Sequence, residues 1–270
     1  MTCLSHERDV AVQYKLRLPN VNAFAMHGER SIRTIMDVKE YYNSLLGVRN
    51  KIFDECVDDS EAFIMHTISH NIIKEYDKIS QILEESESKI FQQACREYQY
   101  ALEAAIFGNY RHAFSSLRLS LELFTAAIYF SAHKMKMNLW ISGSDDLQWS
   151  TIIDQDKGVF SSSFMKAFNP ELMEYRNQYF MLAKTVYREC SEYVHGNPAT
   201  HEEPMLRTSY DPAKVRDFHD KVSTVRLCVL FQFVARYLRE LKATQKQSIE
   251  HVILDAFGTL PEIQASFEAA

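Results

Sequence analysis

Glycine and proline are scarce, at seven and six in 270 residues, so the chain has few places to break and long helices are expected. Cysteine is sparse as well. The five, Cys3, Cys56, Cys95, Cys190 and Cys228, stand far apart, with no CxxC pair and an odd count. That argues against a disulfide framework or a thiolate metal site and predicts reduced, packed thiols. No run of about 18 uncharged apolar residues occurs, so no membrane span is predicted. The opening MTCLSHERDV has no apolar signal core, which predicts a cytoplasmic protein. Positive charge is not in excess either: the formal net charge is −6 and the pI near 5.9. Bulk, sequence-independent nucleic-acid binding is therefore not expected, and any RNA contact must be local. Neither GxxxxGK[ST] nor GxGxxG nor GxSxG is found, so an NTPase, a dinucleotide enzyme and a serine hydrolase of the elbow type are not predicted.

What is present is apolar and aromatic: 46% hydrophobic and 12% aromatic residues, enough to build the core of one large domain or two small ones. The pattern is helical with one exception. Val10, Val12, Tyr14, Leu16 and Leu18 alternate with Ala11, Gln13, Lys15 and Arg17, a strand period. With a turn at Pro19-Asn20 and a weaker extended stretch from Val21 to Met26, segment 1–28 is expected to form a short β-hairpin. Two strands alone are marginal in water, so this hairpin is expected to pack on the helices or pair with a protein partner.

Residues 29–85 then predict two helices. The first has Ser31 as N-cap and a stripe of Ile32, Ile35, Met36, Tyr42, Leu45 and Leu46. The second starts near Asp59 or Ser60, with Phe63, Ile64, Ile68, Ile72, Ile79 and Leu83 along one side. Residues 86–243 predict a bundle: helices from Lys89 to Phe107 and from Tyr110 to about Met137, a long connection over 138–169, a helix opened by Pro170, and a last long helix from about Ala213 to Ala243. The stripe Phe218, Val222, Val225, Val229, Phe233 and Tyr237 on that last helix is expected to be core and could equally extend into a dimer interface. Residues 244–270 predict one or two small helices.

The segment YRECSEYVHGNP, Tyr187 to Pro198, carries the chemistry. The seven steps from Arg188 to His195 come within about 20° of two full helical turns, so both side chains share a face and can reach one phosphate. Gly196 is the residue expected just past a helix end and Pro198 cannot continue a helix. His195 therefore belongs to the last turn, where the helix dipole favours its protonated form. A second reading is open from the same spacing: Glu192, four residues after Arg188 and three before His195, could join both in a solvated salt-bridge cluster. Arg118 and Glu122 are spaced i, i+4 and fit an intrahelical ion pair. His66 and His70 have a spacing that can hold a metal, but without the glutamate of HExxH or a third ligand no metal is predicted.

Two stretches together resemble the HEPN superfamily: GNYRHAFSSLRLSLELFTAAIYF, Gly108 to Phe130, and YRECSEYVHG, Tyr187 to Gly196. The likeness covers roughly Lys89 to Ala243. It implies an all-α, HEPN-like helical bundle, here with extra N-terminal helices and the β-hairpin. HEPN nucleases carry Arg, four to six residues, then His near the end of a late helix. Arg188 and His195 have six between them; many active members have Asn, Asp or His after the arginine, where this chain has Glu189. The resemblance implies metal-independent RNA cleavage without a cofactor, with RNA as substrate and a homodimer bringing two motifs into one cleft. His195 would be acid/base and Arg188 a phosphate clamp, with Arg118, Glu122, Glu192 and Asn197 in support. Such domains often act as toxins or phage-defence effectors. The alternative is a non-catalytic helical interaction subunit of a larger complex.

Overall fold

The structure, a computed structural model, describes residues 28–200 and 204–268. It is 81% helical, with no strand among the described residues, so the architecture is all-α. The expected fold class is corrected on this point. The expected β-hairpin falls on residues that lie outside those described, and no hairpin forms part of the described fold. The chain divides into two compact units, 1–46 and 47–270. The first is described only as the opening residues of helix α1, Gly28–Asp58. That helix starts at Gly28, so Ser31 lies inside it and is not the N-cap.

The second unit holds the remaining helices. A single residue, Asp59, separates α1 from α2 (Ser60–Ser80), and its side chain caps α2 by accepting from the Ala62 amide at 3.1 Å. The apolar side expected along α2 splits in two. Ile72, Ile79 and the following Leu83 are buried, whereas Phe63, Ile64 and Ile68 face solvent. Helices α3 (Glu85–Ile106) and α4 (Tyr110–Ala132) pack more extensively than any other pair. The turn between them needs Gly108 at φ +74°, where Cδ1 of Ile52 stands 2.9 Å from the place a Cβ would occupy.

α4 is shorter than its apolar pattern predicts. The chain leaves helical geometry at His133 (φ −132°), and α5 (Lys134–Ile141) starts anew, held by Lys134 against Glu84 and the buried Glu87. The long connection contains the expected short turns, α6 (Trp149–Ile152) and α7 (Ser162–Phe168). Pro170 opens only a 3-10 turn, Pro170–Leu172, and α8 begins later, at Arg176–His195. Asp211 then caps α9 (Pro212–Tyr237) through the amides of Ala213 and Lys214.

α9 is the central helix. Phe218, Val222, Val225, Val229, Phe233 and Tyr237 are all buried within this one chain, so the stripe is core, as expected. Removing each such side chain from water contributes about 1.5–3 kcal/mol before entropy is counted. Arg226 ties α9 to its neighbours, at 2.6 and 3.0 Å from Glu75 of α2 and 3.0 Å from Asp255 of α10 (Ala243–Phe257). Helix α11 (Pro261–Glu268) closes the described chain. Cys56, Cys95, Cys190 and Cys228 are buried free thiols. No helix is long and apolar enough to cross a membrane among the described residues.

Candidate functional site

The end of α8 is built as its sequence dictates. Gly196 takes the left-handed conformation, φ +70° and ψ 37°, and its amide donates to the Glu192 carbonyl. That same carbonyl accepts from the Asn197 amide and the Thr200 hydroxyl, both at 3.2 Å. His195 is thus the last helical residue, and two turns before it stands Arg188; both side chains are exposed. Glu192 is exposed between them, yet it forms no ion pair with either among the described residues, so the salt-bridge cluster is not formed. Asn197 contributes through its backbone, its carbonyl accepting from the Thr200 amide and hydroxyl at 2.9 and 2.8 Å.

Glu189 reaches away to α9 and pairs with Lys221 at 3.2 Å. Lys221 also pairs with Asp217. Glu189 and Lys221 thus join α8 to α9.

α4 and α8 lie side by side and antiparallel: Arg111 meets Val194, the Phe114 ring stacks on Tyr193 at 4.1 Å, and Arg118 meets Ser191 and Tyr187. As the numbers rise on one helix they fall on the other. Arg118 does more than pair with Glu122 at 3.5 Å. Its Nε donates to Ser191 Oγ at 2.9 Å, an Nη donates to the Tyr187 hydroxyl, and its guanidinium lies 4.4 Å from the Tyr187 ring centre. The Tyr187 hydroxyl in turn donates to Glu122 Oε2 at 3.4 Å, and the Trp149 ring stacks on Tyr187 at 4.0 Å, nearly parallel.

Burial raises the pKa of the Glu122 carboxyl against the lowering effect of Arg118 and Tyr187. Burial, with Glu122 beside it, pushes the Tyr187 hydroxyl up to about 12. Arg118 and Glu122 thus meet the residue before Arg188 and the turn between Arg188 and His195. Tyr187 and Ser191 lie inside the Tyr187–Pro198 segment, yet the sequence gives neither of them a role, and it does not single out Trp149. Their contacts are tertiary, and no periodicity signals them.

Arg188 and His195 line neither the cavity of about 200 Å³ by Tyr129, Lys136 and Trp140 nor the groove along Ile90, Leu119 and Trp140. Both side chains are exposed. His66 and His70 do not converge as a ligand pair: His66 packs edge-on against His219 of α9, ring centres 5.4 Å apart, while His70 is exposed. No family model, no curated protein and no solved structure matches this chain.

Proposed function

We propose that the protein is a metal-independent endoribonuclease of HEPN type, with Arg188 and His195 as its working pair and a toxin or phage-defence role. One observation carries the reading: both side chains stand exposed on the last two turns of α8, beside the seam with α4. An arginine fork binds a phosphate through paired hydrogen bonds, and an imidazole can accept and donate a proton.

In the reaction the RNA 2′-oxygen attacks the adjacent phosphorus and the bond from phosphorus to the 5′-oxygen breaks. The 2′-proton passes to one His195, and the leaving 5′-oxygen takes a proton from His195 of a second copy. A 2′,3′-cyclic phosphate and a 5′-hydroxyl result, with no metal or redox partner in the balance. Arg118, Glu122, Tyr187 and Ser191 hold the α8 turn that carries the motif.

The test is cleavage of labelled total RNA and tRNA in EDTA by the wild type, Arg188→Ala and His195→Ala. Both substitutions are on the surface, so stability should change by less than about 0.5 kcal/mol. Cleavage by the wild type, lost in both variants, supports the nuclease. Its absence in the wild type favours the second reading, a non-catalytic interaction subunit. That reading has its own observation: Ile64 and Ile68 on α2 are 60% and 59% exposed, one turn apart beside exposed Phe63.

A further inference from the structure

The turn that ends α5 builds a small concave site on the other side of α6 from the α8 motif. Gly143 takes the left-handed conformation at φ +70°; its amide donates to the Trp140 carbonyl at 3.0 Å, and the Ser144 amide donates to the Leu139 carbonyl at 2.8 Å. This closure ends the helix and reverses the chain. Asp145 then folds back to pair with Lys136 of α5 at 2.8 Å. Between this turn, the end of α4 and α6 lies the cavity of about 200 Å³.

Its apolar wall is aromatic: Phe130 is buried, and the Trp140 ring lies 5.5 Å from it between centres. Its polar wall is left unsatisfied. Tyr129 is only 5% exposed, yet its hydroxyl makes no hydrogen bond among the described residues. Burial raises its pKa, and the charges that act on it are those of Lys136, Asp154 and Asp145, so the hydroxyl faces the charged end of the cavity. A phenol so placed is short of a partner, and a ligand can supply one. Asp145 neutralises Lys136, whereas the Asp146 carboxylate, on the same cavity, pairs with no cation among the described residues. What the cavity offers is therefore one surplus negative charge, one idle hydroxyl and aromatic faces. That combination fits a monovalent organic cation: an anion meets the wrong charge, and no group of three metal-ligating side chains gathers among the described residues.

We propose that this cavity binds a small organic amine in its ammonium form, the nitrogen held by the Asp146 carboxylate and the Tyr129 hydroxyl and the apolar body lying against Trp140 and Phe130. The ammonium donates to both oxygens, and the aromatic faces attract its charge as well as its carbons. The site stands without the nuclease reading, and it is joined to the α8 cluster through one short helix: Thr151 and Ile152 of α6 line the cavity, and Trp149, the first residue of α6, stacks on Tyr187.

Trp140 and Trp149 are the only two tryptophans of the chain, so the intrinsic fluorescence of the full-length protein reports on this place. Titration with isopentylamine near neutral pH and at constant ionic strength is expected to change the emission with a dissociation constant on the order of 1 mM. Isopentanol, which lacks the charge, and isovalerate, which reverses it, should leave the emission flat over the same range. Asp146→Asn should weaken amine binding about tenfold and Tyr129→Phe about fivefold. Neither variant should melt below the wild type, because Asp146 is exposed and the Tyr129 hydroxyl has no bond within the described chain to lose. No response to isopentylamine, or an equal response to isopentanol, overturns the proposal. Amine binding unaltered in both variants also overturns it, by placing the ligand elsewhere. Tighter binding of isovalerate or of leucine than of the amine overturns it as well, since Lys136 would then be the charge that reads the ligand.

Discussion

At the scale of single residues, Arg118 is where removal of one side chain should be felt most strongly around the site. Its guanidinium joins Ser191, Tyr187 and Glu122 from a position only 22% exposed, and Glu122 is 11% exposed. Arg118→Met leaves a buried carboxyl and a phenol without their cation. The expected loss is about 1–3 kcal/mol in urea denaturation, since an unsatisfied buried group costs more than a hydrogen bond gains. Arg118→Lys should not restore it, because one ammonium cannot serve Ser191 and Tyr187 in the geometry of a planar fork. A loss below about 0.5 kcal/mol in Arg118→Met would show the cluster to be incidental to stability. The i, i+4 relation of Arg118 and Glu122 is legible in the sequence. That both close on Tyr187 is not, because the partner is 65 or more positions away and only the antiparallel packing of α4 on α8 brings it near.

At the scale of elements, two glycines make contrasting turns. Gly196 ends α8 at φ +70° with nothing among the described residues within 4 Å of the place a Cβ would occupy, so Gly196→Ala meets chiefly the left-handed backbone penalty, about 1–2 kcal/mol. Gly108 has the same backbone demand at φ +74° and also the Ile52 side chain at 2.9 Å, so Gly108→Ala should lower the melting temperature further than Gly196→Ala. Equal shifts would mean that Ile52 moves aside without consequence. Under the nuclease reading Gly196→Ala should also reduce cleavage, since it loosens the turn that holds His195. The end of α8 is legible because a glycine and a proline mark it chemically. The break at His133 is not, because α4 and α5 are continuous in apolar pattern, and the Lys134 pairs with Glu84 and Glu87 at the start of α5 are tertiary contacts that no periodicity signals. The helical period of α2 is legible and its burial only in part: Ile72 and Ile79 find the core, while Ile64 and Ile68 keep the same phase and face solvent. The all-α class is legible in this way, whereas the strand alternation near the N-terminus lies outside the described residues and adds no strand to the described fold.

At the scale of the whole molecule, the pair His66 and His219 decides how stability responds to acid. These rings join α2 to α9 from within the packed interior, with Ser69 Oγ 2.8 Å from His219 Nδ1 and exposed His70 the nearby ionisable neighbour. Nδ1 of His66 and Nε2 of His219 are buried without a hydrogen-bond partner among the described residues, so neither ring has an acceptor ready for a second proton. Burial, and then the charge of His70, lowers the His66 pKa to about 4; burial, and then His66, lowers that of His219 to about 3. In the unfolded chain both return to about 6.5. Between those values the unfolded state binds more protons than the folded one, so stability is fully present above about pH 6.5 and is lost as pH falls toward 4 and then 3. Each proton of difference contributes a slope of about 1.4 kcal/mol per pH unit. Urea denaturation at a series of pH values from 7.5 to 4 should therefore show steep loss below about 6.5. His66→Leu, which fills the same space without a titrating nitrogen, should make that loss shallower while leaving stability at pH 7.5 within about 1 kcal/mol. If wild type and His66→Leu lose stability in parallel, the rings are not held neutral by the α2–α9 interior, and carboxylate protonation governs the acid limb instead.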